Sequence, residues 1–279
     1  MMKGAIGLIT RADDAGSSAT ANRAILEACD HGIIRNVSLM ATCGAIEDAA
    51  ELFRGRDDIC FGVHLTLNAE WDRVRWGPVM PNDRVPTLID AEGCFHRTPE
   101  AMKAAGALLD EAFLEMQAQL NRLRELGFPI RYADEHMFFG RVFEGYEERF
   151  DRWCTEAGLI NFRRCLRRLP IRAEDNCEVT ALLDALDRAE TGIYTLVTHP
   201  AFDTPEMRES GHAGKSGEEI AFERERDTKL VTNAKVMEFC KERQIRFLRY
   251  DEVDDGRTNN VEGKMDLVRQ PIGNDESGA

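Results

Sequence analysis

No Cys-x-x-Cys pair occurs in the 279 residues, although eight cysteines are present. Zinc knuckles and redox dithiols use that spacing, so neither is indicated. Cys29, Cys43, Cys60, Cys94, Cys154, Cys165, Cys177 and Cys240 fall mostly in apolar stretches, where thiols pack as small hydrophobes. No apolar run approaches the length of a membrane-spanning helix. Basic residues are outnumbered, 36 Lys and Arg against 50 Asp and Glu, giving a net charge of −14. So few cations argue against a nucleic-acid backbone or an anionic membrane as partner. No signal peptide is read in Met1-Met2-Lys3-Gly4, which runs directly into an apolar strand. A reduced, cytoplasmic protein is therefore expected.

What is present is a regular alternation. Apolar runs at 5–10, 36–42, 59–67, 130–133, 161–169, 192–198 and 245–250 read as strands. Segments 18–31, 45–53, 101–126, 146–157, 179–189 and 218–242 read as helices. In 18–31 the apolar stripe is Ala21, Ala24, Ile25 and Ala28, with Ser17 or Ser18 to cap its start and Gly32 at its end. Such alternation predicts a parallel sheet flanked by helices, and about seven strands fit a TIM-like (β/α) barrel better than an open sheet. Two long irregular segments, 68–99 and 200–217, interrupt the pattern, and loops of that length are usually functional. Residues 254–279 are polar and rich in Gly, Asn and Asp, so a poorly ordered tail is expected behind a single domain of residues 1–253.

Three of the six histidines, His64, His136 and His199, stand at or just past the ends of strand-like runs. The pair Asp13-Asp14 follows the first such run in Arg11-Ala12-Asp13-Asp14-Ala15-Gly16. Acids and imidazoles at the ends of separate parallel strands are how an α/β enzyme assembles a metal-hydrolase site. Each residue also has a structural reading. Paired aspartates are common in solvated turns and at helix N-termini, and a lone histidine in an apolar strand is more often a satisfied core residue. One Asp with two His makes a two-nitrogen, one-oxygen set with open positions. Zinc, iron, manganese or nickel accepts it; magnesium prefers more oxygen. The neighbouring carboxylate would then be free to act as a base. Asp134 can orient a histidine through its second ring nitrogen. His199, before Pro200, is placed to give a proton to a leaving group. His31 reads as structural, at a helix C-terminus, and His96 and His212 as solvated loop residues.

Taken together, these motifs resemble the YdjC/ChbG family of carbohydrate deacetylases. The resemblance rests on Arg11 to Gly16, Asn22-Arg23-Ala24-Ile25, Val37-Ser38-Leu39-Met40, Gly62-Val63-His64-Leu65-Thr66-Leu67, Asp134-Glu135-His136 and His199-Pro200, in order, over residues 6–253. It implies a distorted (β/α) barrel, often dimeric. It implies one divalent metal ion, magnesium or zinc, held by Asp14, His64 and His136, with Asp13 as base. It implies removal of acetyl from an N-acetylated sugar or oligosaccharide. The chain departs from the family's pattern at Arg11, where Asn is usual, at Ala15, where Phe is usual, and at Phe138, where another His is common. Glu135 beside His136 is also unusual. The expected reaction is a metal-dependent amide hydrolysis in which His199 protonates the departing amine. Trp71, Trp76 and Phe95 suit stacking on a sugar face or packing the long loop down. The rival readings are a metal-dependent hydrolase of another substrate class, such as a phosphoester, and a non-catalytic carbohydrate-binding protein on the same fold.

Overall fold

The computed structural model describes residues 5–165, 167–169, 171 and 178–254. Cys177 and residues 255–279 of the expected polar tail lie outside the described residues. The elements run β1 (Ile6–Ala15), α1 (Ala19–Asp30), β2 (Asn36–Leu39), α2 (Ile46–Leu52), β3 (Cys60–Leu65), α3 (Pro99–Ala104), α4 (Leu109–Glu125), β4 (Ile130–Glu135) and α5 (Tyr146–Ala157). They continue with β5 (Ile160–Asn161), α6 (Val179–Arg188), β6 (Gly192–Thr198), α7 (Gly217–Val231), α8 (Ala234–Glu242), β7 (Arg246–Leu248) and α9 (Tyr250–Asp254).

All the pairings of these strands are parallel, in the order β5-β4-β3-β2-β1-β6. β5 and β6 do not pair; on that side the chain after β5 meets β6 only through a lone bridge, Arg168 with Thr195, where the Thr195 N–H donates to the Arg167 carbonyl at 2.7 Å. The result is the expected barrel, distorted at that seam. β1 is its hub. One edge pairs with β6 from Ile6 to Ala12. The other edge is shared, with Gly7–Ile9 on β7 and Arg11–Ala15 on β2. Where the edge forks, backbone groups lose their partners, and the buried Asn36 amide supplies new ones. It donates to the Thr10 and Leu248 carbonyls at 2.9 Å each and accepts from the Tyr250 N–H at 2.9 Å.

Four expectations are corrected in detail. The 101–126 helix is two, α3 and α4, because Gly106 takes a left-handed φ of 78° after α3. The 218–242 helix is also two, because the Asn233 side chain accepts the Lys235 N–H and starts α8 afresh. The 161–169 strand shrinks to β5, then a 3-10 turn at Phe162–Cys165 and the lone bridge. β1 runs past Thr10 to Ala15, so Asp13 and Asp14 end a buried strand rather than a solvated turn. The buried cysteines Cys29, Cys43, Cys60, Cys154 and Cys240 are thiols in the core, as their apolar sequence surroundings suggested. No described helix is long and apolar enough to cross a membrane.

The long 68–99 segment is packed down onto α4. Glu115, fully buried on that helix, accepts the Val79 and Met80 N–H groups at 2.9 Å each, and Gln119 bonds both backbone groups of Thr66. Trp71, Trp76 and Phe95 are all buried. The Trp76 indole N–H donates to the Asn68 carbonyl at 2.7 Å, and the two indoles meet edge to face at 5.3 Å. Of the two roles open to these aromatics, packing is the one their burial serves. Trp76→Ala is therefore expected to cost about 3–5 kcal/mol of stability, as large-to-small changes in cores do. Urea unfolding of the variant measures it. A loss under about 0.5 kcal/mol, the range of surface substitutions, would contradict the packing role.

Candidate metal centre

Asp13 and Asp14 owe their placement to an irregularity in β1. Ala12 pairs with Val37 and Ala15 with Leu39, so three steps on β1 match two on β2. The extra residue makes a bulge, and a bulge re-aims side chains that would otherwise alternate across the sheet. Asp14 sits there at a left-handed φ of 66°. Two of the three other non-glycine residues with positive φ among the described residues, Met137 and Phe138, directly follow His136. Strained backbone of this sort clusters at functional sites.

His64 lies near the end of β3 with Asp134 as its direct partner on β4, and His136 is the first residue beyond β4. The three expected ligands meet. His64 Nε2 is 3.4 Å from Asp14 Oδ1, His136 Nδ1 is 3.6 Å from the same oxygen, and the two nitrogens are 3.3 Å apart. Zinc sits about 2.0–2.1 Å from such ligand atoms, which places them roughly 2.8–3.4 Å from one another at octahedral to tetrahedral angles, so the separations here lie at or slightly beyond the tetrahedral end. Asp14 Oδ1 is also buried and without a hydrogen-bond partner. An orphaned carboxylate oxygen facing two imidazole nitrogens fits a divalent cation.

Each imidazole is oriented from behind. His64 Nδ1–H donates to Asp134 Oδ1 at 2.7 Å, as anticipated for Asp134. His136 Nε2–H donates to Glu70 Oε2 at 3.0 Å. Carboxylates commonly hold metal-binding histidines in this way. Glu70 was not anticipated, because it comes from the 68–99 loop and nothing in its local sequence marks it. Arg224 of α7 was missed for the same reason; its Nη2 bonds Asp14 Oδ2 at 2.8 Å.

Arg11, the largest departure in charge from the family's pattern, is almost fully buried beside these groups. It grips Asp13 with two hydrogen bonds, at 2.6 and 2.8 Å, and reaches Asp134 Oδ2 at 2.8 Å. Asp13, His64 and Asp134 also lie within 4.8 Å of one another, but there the protein supplies its own cation, Arg11. Burial opposes ionisation of Asp13, and Arg11 overcomes it, with His64 and His199 adding to the effect, so the carboxyl is held below its usual range. Glu135 faces away, paired with Arg163 at 2.8 Å and accepting the Gly140 N–H. Phe138 packs against Phe162, with the Arg168 guanidinium 5.5 Å from its ring. Ala15 is buried in the β1–β2 pairing.

His199 follows β6 and stays half-exposed, at 46% of its side chain. Its backbone N–H donates to Asp227 Oδ2 at 2.7 Å, and its Nδ1 lies 3.9 Å from the same oxygen. The two long loops touch one another, the Asp72 N–H donating to the Gly211 carbonyl at 2.7 Å.

The four carboxylates Asp13, Asp14, Asp134 and Glu70 face two guanidiniums, Arg11 and Arg224, so the cluster lacks two positive charges. Without a metal, this deficit favours protons on the imidazoles. Burial disfavours the charge on His64, but Asp134 and Asp13 outweigh it and push its pKa up to about 10. Glu70 and Asp14 outweigh burial at His136 in the same way, raising it to about 9.

Fold and site together define a (β/α)-barrel protein with a carboxylate–imidazole centre at the carboxyl ends of its strands. The model of the YdjC-like protein family matches residues 7–242, and the chain belongs to that family. Among curated relatives, a carbohydrate deacetylase of Thermoanaerobacter pseudethanolicus is 25% identical over 87% of this chain and 97% of its own length. A chitooligosaccharide deacetylase of Yersinia enterocolitica is 34% identical over 46% of this chain and 48% of its own length. A crystal structure from Enterococcus faecalis V583, of a candidate cellobiose-phosphate cleavage protein, superposes with a TM-score of 0.74. It covers 90% of this chain and 99% of its own at 21% identity, which establishes the likeness of fold.

The imidazole protonation carries a sign. A group whose pKa is raised on folding stabilises the folded state below its unfolded value, and that contribution is lost as pH rises through the folded value. For His64 the window runs from about 6.5, the value in an unfolded chain, to about 10. Metal-free protein in a chelator is therefore expected to lose stability between neutral pH and pH about 9. Urea midpoints across that range test it. A midpoint that rises with pH would contradict the assigned charges.

Proposed function

We propose that the protein is a metal-dependent carbohydrate deacetylase that removes acetyl from an N-acetylated sugar or oligosaccharide, with residues 1–253 as its catalytic unit. The observation that carries the reading is the meeting of Asp14 Oδ1, His64 Nε2 and His136 Nδ1, with the oxygen left unpartnered. The names of the family's curated relatives supply the substrate class. The residues that would hold the ion are Asp14, His64 and His136, and the two nitrogens favour zinc over magnesium. A divalent cation there supplies Lewis acidity toward the acetyl carbonyl and toward water.

The chain's own residues do the rest. Asp13 is the base. Arg11 keeps it ionised and fixed, and each carboxylate oxygen retains a second lone pair with which to accept the proton of the attacking water. His199, half-exposed at the end of β6, gives a proton to the departing amine, which is too basic to leave as an anion. Asp227 holds the His199 backbone in place. Asp134 and Glu70 keep the two ligand nitrogens turned toward Asp14.

The test combines metal content with acetate release from N-acetyl sugars. Wild-type protein is expected to bind one divalent ion, with release of about one to two protons at neutral pH as His64 and His136 give theirs up. His64→Ala is expected to lose the ion. Asp13→Asn is expected to keep it and lose about 10²–10⁴-fold in kcat, the usual contribution of a general base. A metal-free His64→Ala beside a metal-loaded, inactive Asp13→Asn supports the assignment. Activity of the Asp13→Asn variant at the wild-type level, or activity on phosphoesters in place of acetylated sugars, would overturn it.

A further inference from the structure

Asp14 is tied by one oxygen only. Its Oδ2 takes the Arg224 Nη2–H bond at 2.8 Å, while Oδ1 faces the two imidazoles with no hydrogen bond of its own. The torsion that swings a carboxylate about its last bond is soft, so what Oδ2 does depends on its partner. That partner is rigidly held. Arg224 is only 12% exposed, its guanidinium lies 5.3 Å from the Trp71 ring centroid, and its backbone carbonyl accepts the Ala201 N–H. Its Nη1 is buried and has no hydrogen-bond partner.

A guanidinium beside a cation-binding cluster is a repulsive choice, since it opposes the charge the cluster is short of. It compensates the buried Asp14 carboxylate while weakening cation binding, and it does so through Oδ2 alone. Carboxylates bind divalent cations through one oxygen or through both, and a catalytic site has to keep a coordination position open. We propose that Arg224 is a positioning residue that reserves Asp14 Oδ2. It makes Asp14 a one-oxygen ligand and so keeps a place at the cation for the substrate. The inference rests on the metal reading above and deepens it. A charge-assisted bond to a carboxylate is strong enough to hold this choice, being about twice the strength of a neutral one.

The experiment compares wild type, Arg224→Met and Arg224→Lys. Met removes the donor and the charge at similar volume, whereas Lys retains a cationic donor. Divalent-ion affinity is measured by competition with a chromophoric chelator, and coordination from the visible spectrum of the Co²⁺-loaded protein, whose bands weaken as ligands are added. Thermal unfolding of the chelated variants reports folding. Arg224→Met is expected to bind Zn²⁺ at least as tightly as wild type, with a weaker Co²⁺ spectrum. Its kcat for acetate release is expected to fall about 10–100-fold, the usual cost of losing a residue that orients a metal ligand, with Arg224→Lys restoring most of it. Loss of Zn²⁺ by a folded Arg224→Met protein, or a Co²⁺ spectrum identical to wild type, would overturn the inference. If Arg224→Met fails to fold, an Arg224→Lys protein whose kcat falls about 10–100-fold while its Co²⁺ spectrum stays identical to wild type would also overturn it. If wild type takes up Zn²⁺ but releases no acetate from any N-acetyl sugar, the deacetylase reading fails alone, and the affinity and Co²⁺ measurements still decide the role of Arg224.

Discussion

Buried charge has to be compensated, and the mouth of this barrel is arranged around that requirement. Asp13, Asp14 and Asp134 are each at most 3% exposed. An ionised carboxylate in such surroundings is costly unless cations and hydrogen bonds surround it. Arg11 answers for Asp13 and Asp134, and Arg224 for one oxygen of Asp14. What remains is an oxygen between two imidazoles, short of positive charge. The same shortage that raises the two histidine pKa values makes the place attractive to a dication, and a bound metal would compete with protons for one deficit.

This arrangement also gives the family departures a physical meaning. Arg11 adds a cation deep in the site and makes two bonds to Asp13, which makes that carboxylate ionised, fixed and a weaker acceptor than a free one. Glu135 brings its own counter-ion, Arg163, and leaves the site's charge balance untouched. Phe138 places a ring among Phe162 and Arg168 at a left-handed backbone position two residues beyond His136. These residues therefore alter the surroundings of Asp13 and of the loop after His136, and leave the convergence of Asp14, His64 and His136 in place.

Much of this was legible in one dimension because the underlying rules are local. Strand-like runs that carry or lead into Asp14, His64, His136 and His199 place those residues at one end of a parallel barrel, whatever the details of its packing. Asp134 was legible as a partner because it stands two residues from His136, though it serves His64, its cross-strand neighbour. Helix breaks at Gly106 and Asn233 are local too, and were passed over because the apolar stripes on either side keep nearly the same period.

The sequence by itself determined the alternation of strands and helices, the barrel class, the four strand-end residues and the pairing of thiols with apolar surroundings. These follow from side-chain period, chain reach and residue type. Only the tertiary structure decided the rest. Glu70 from a long loop and Arg224 from α7 reach the centre from 66 residues before His136 and from a helix that follows β6, far along the chain from Asp14. The bulge in β1 turns two adjacent aspartates into one site. Burial decides between stacking and packing for Trp71 and Trp76, and the Trp76 ring centroid lies 6.2 Å from that of His136. Each of these depends on which distant segments fold against one another, and contacts between segments far apart in sequence carry no local signature.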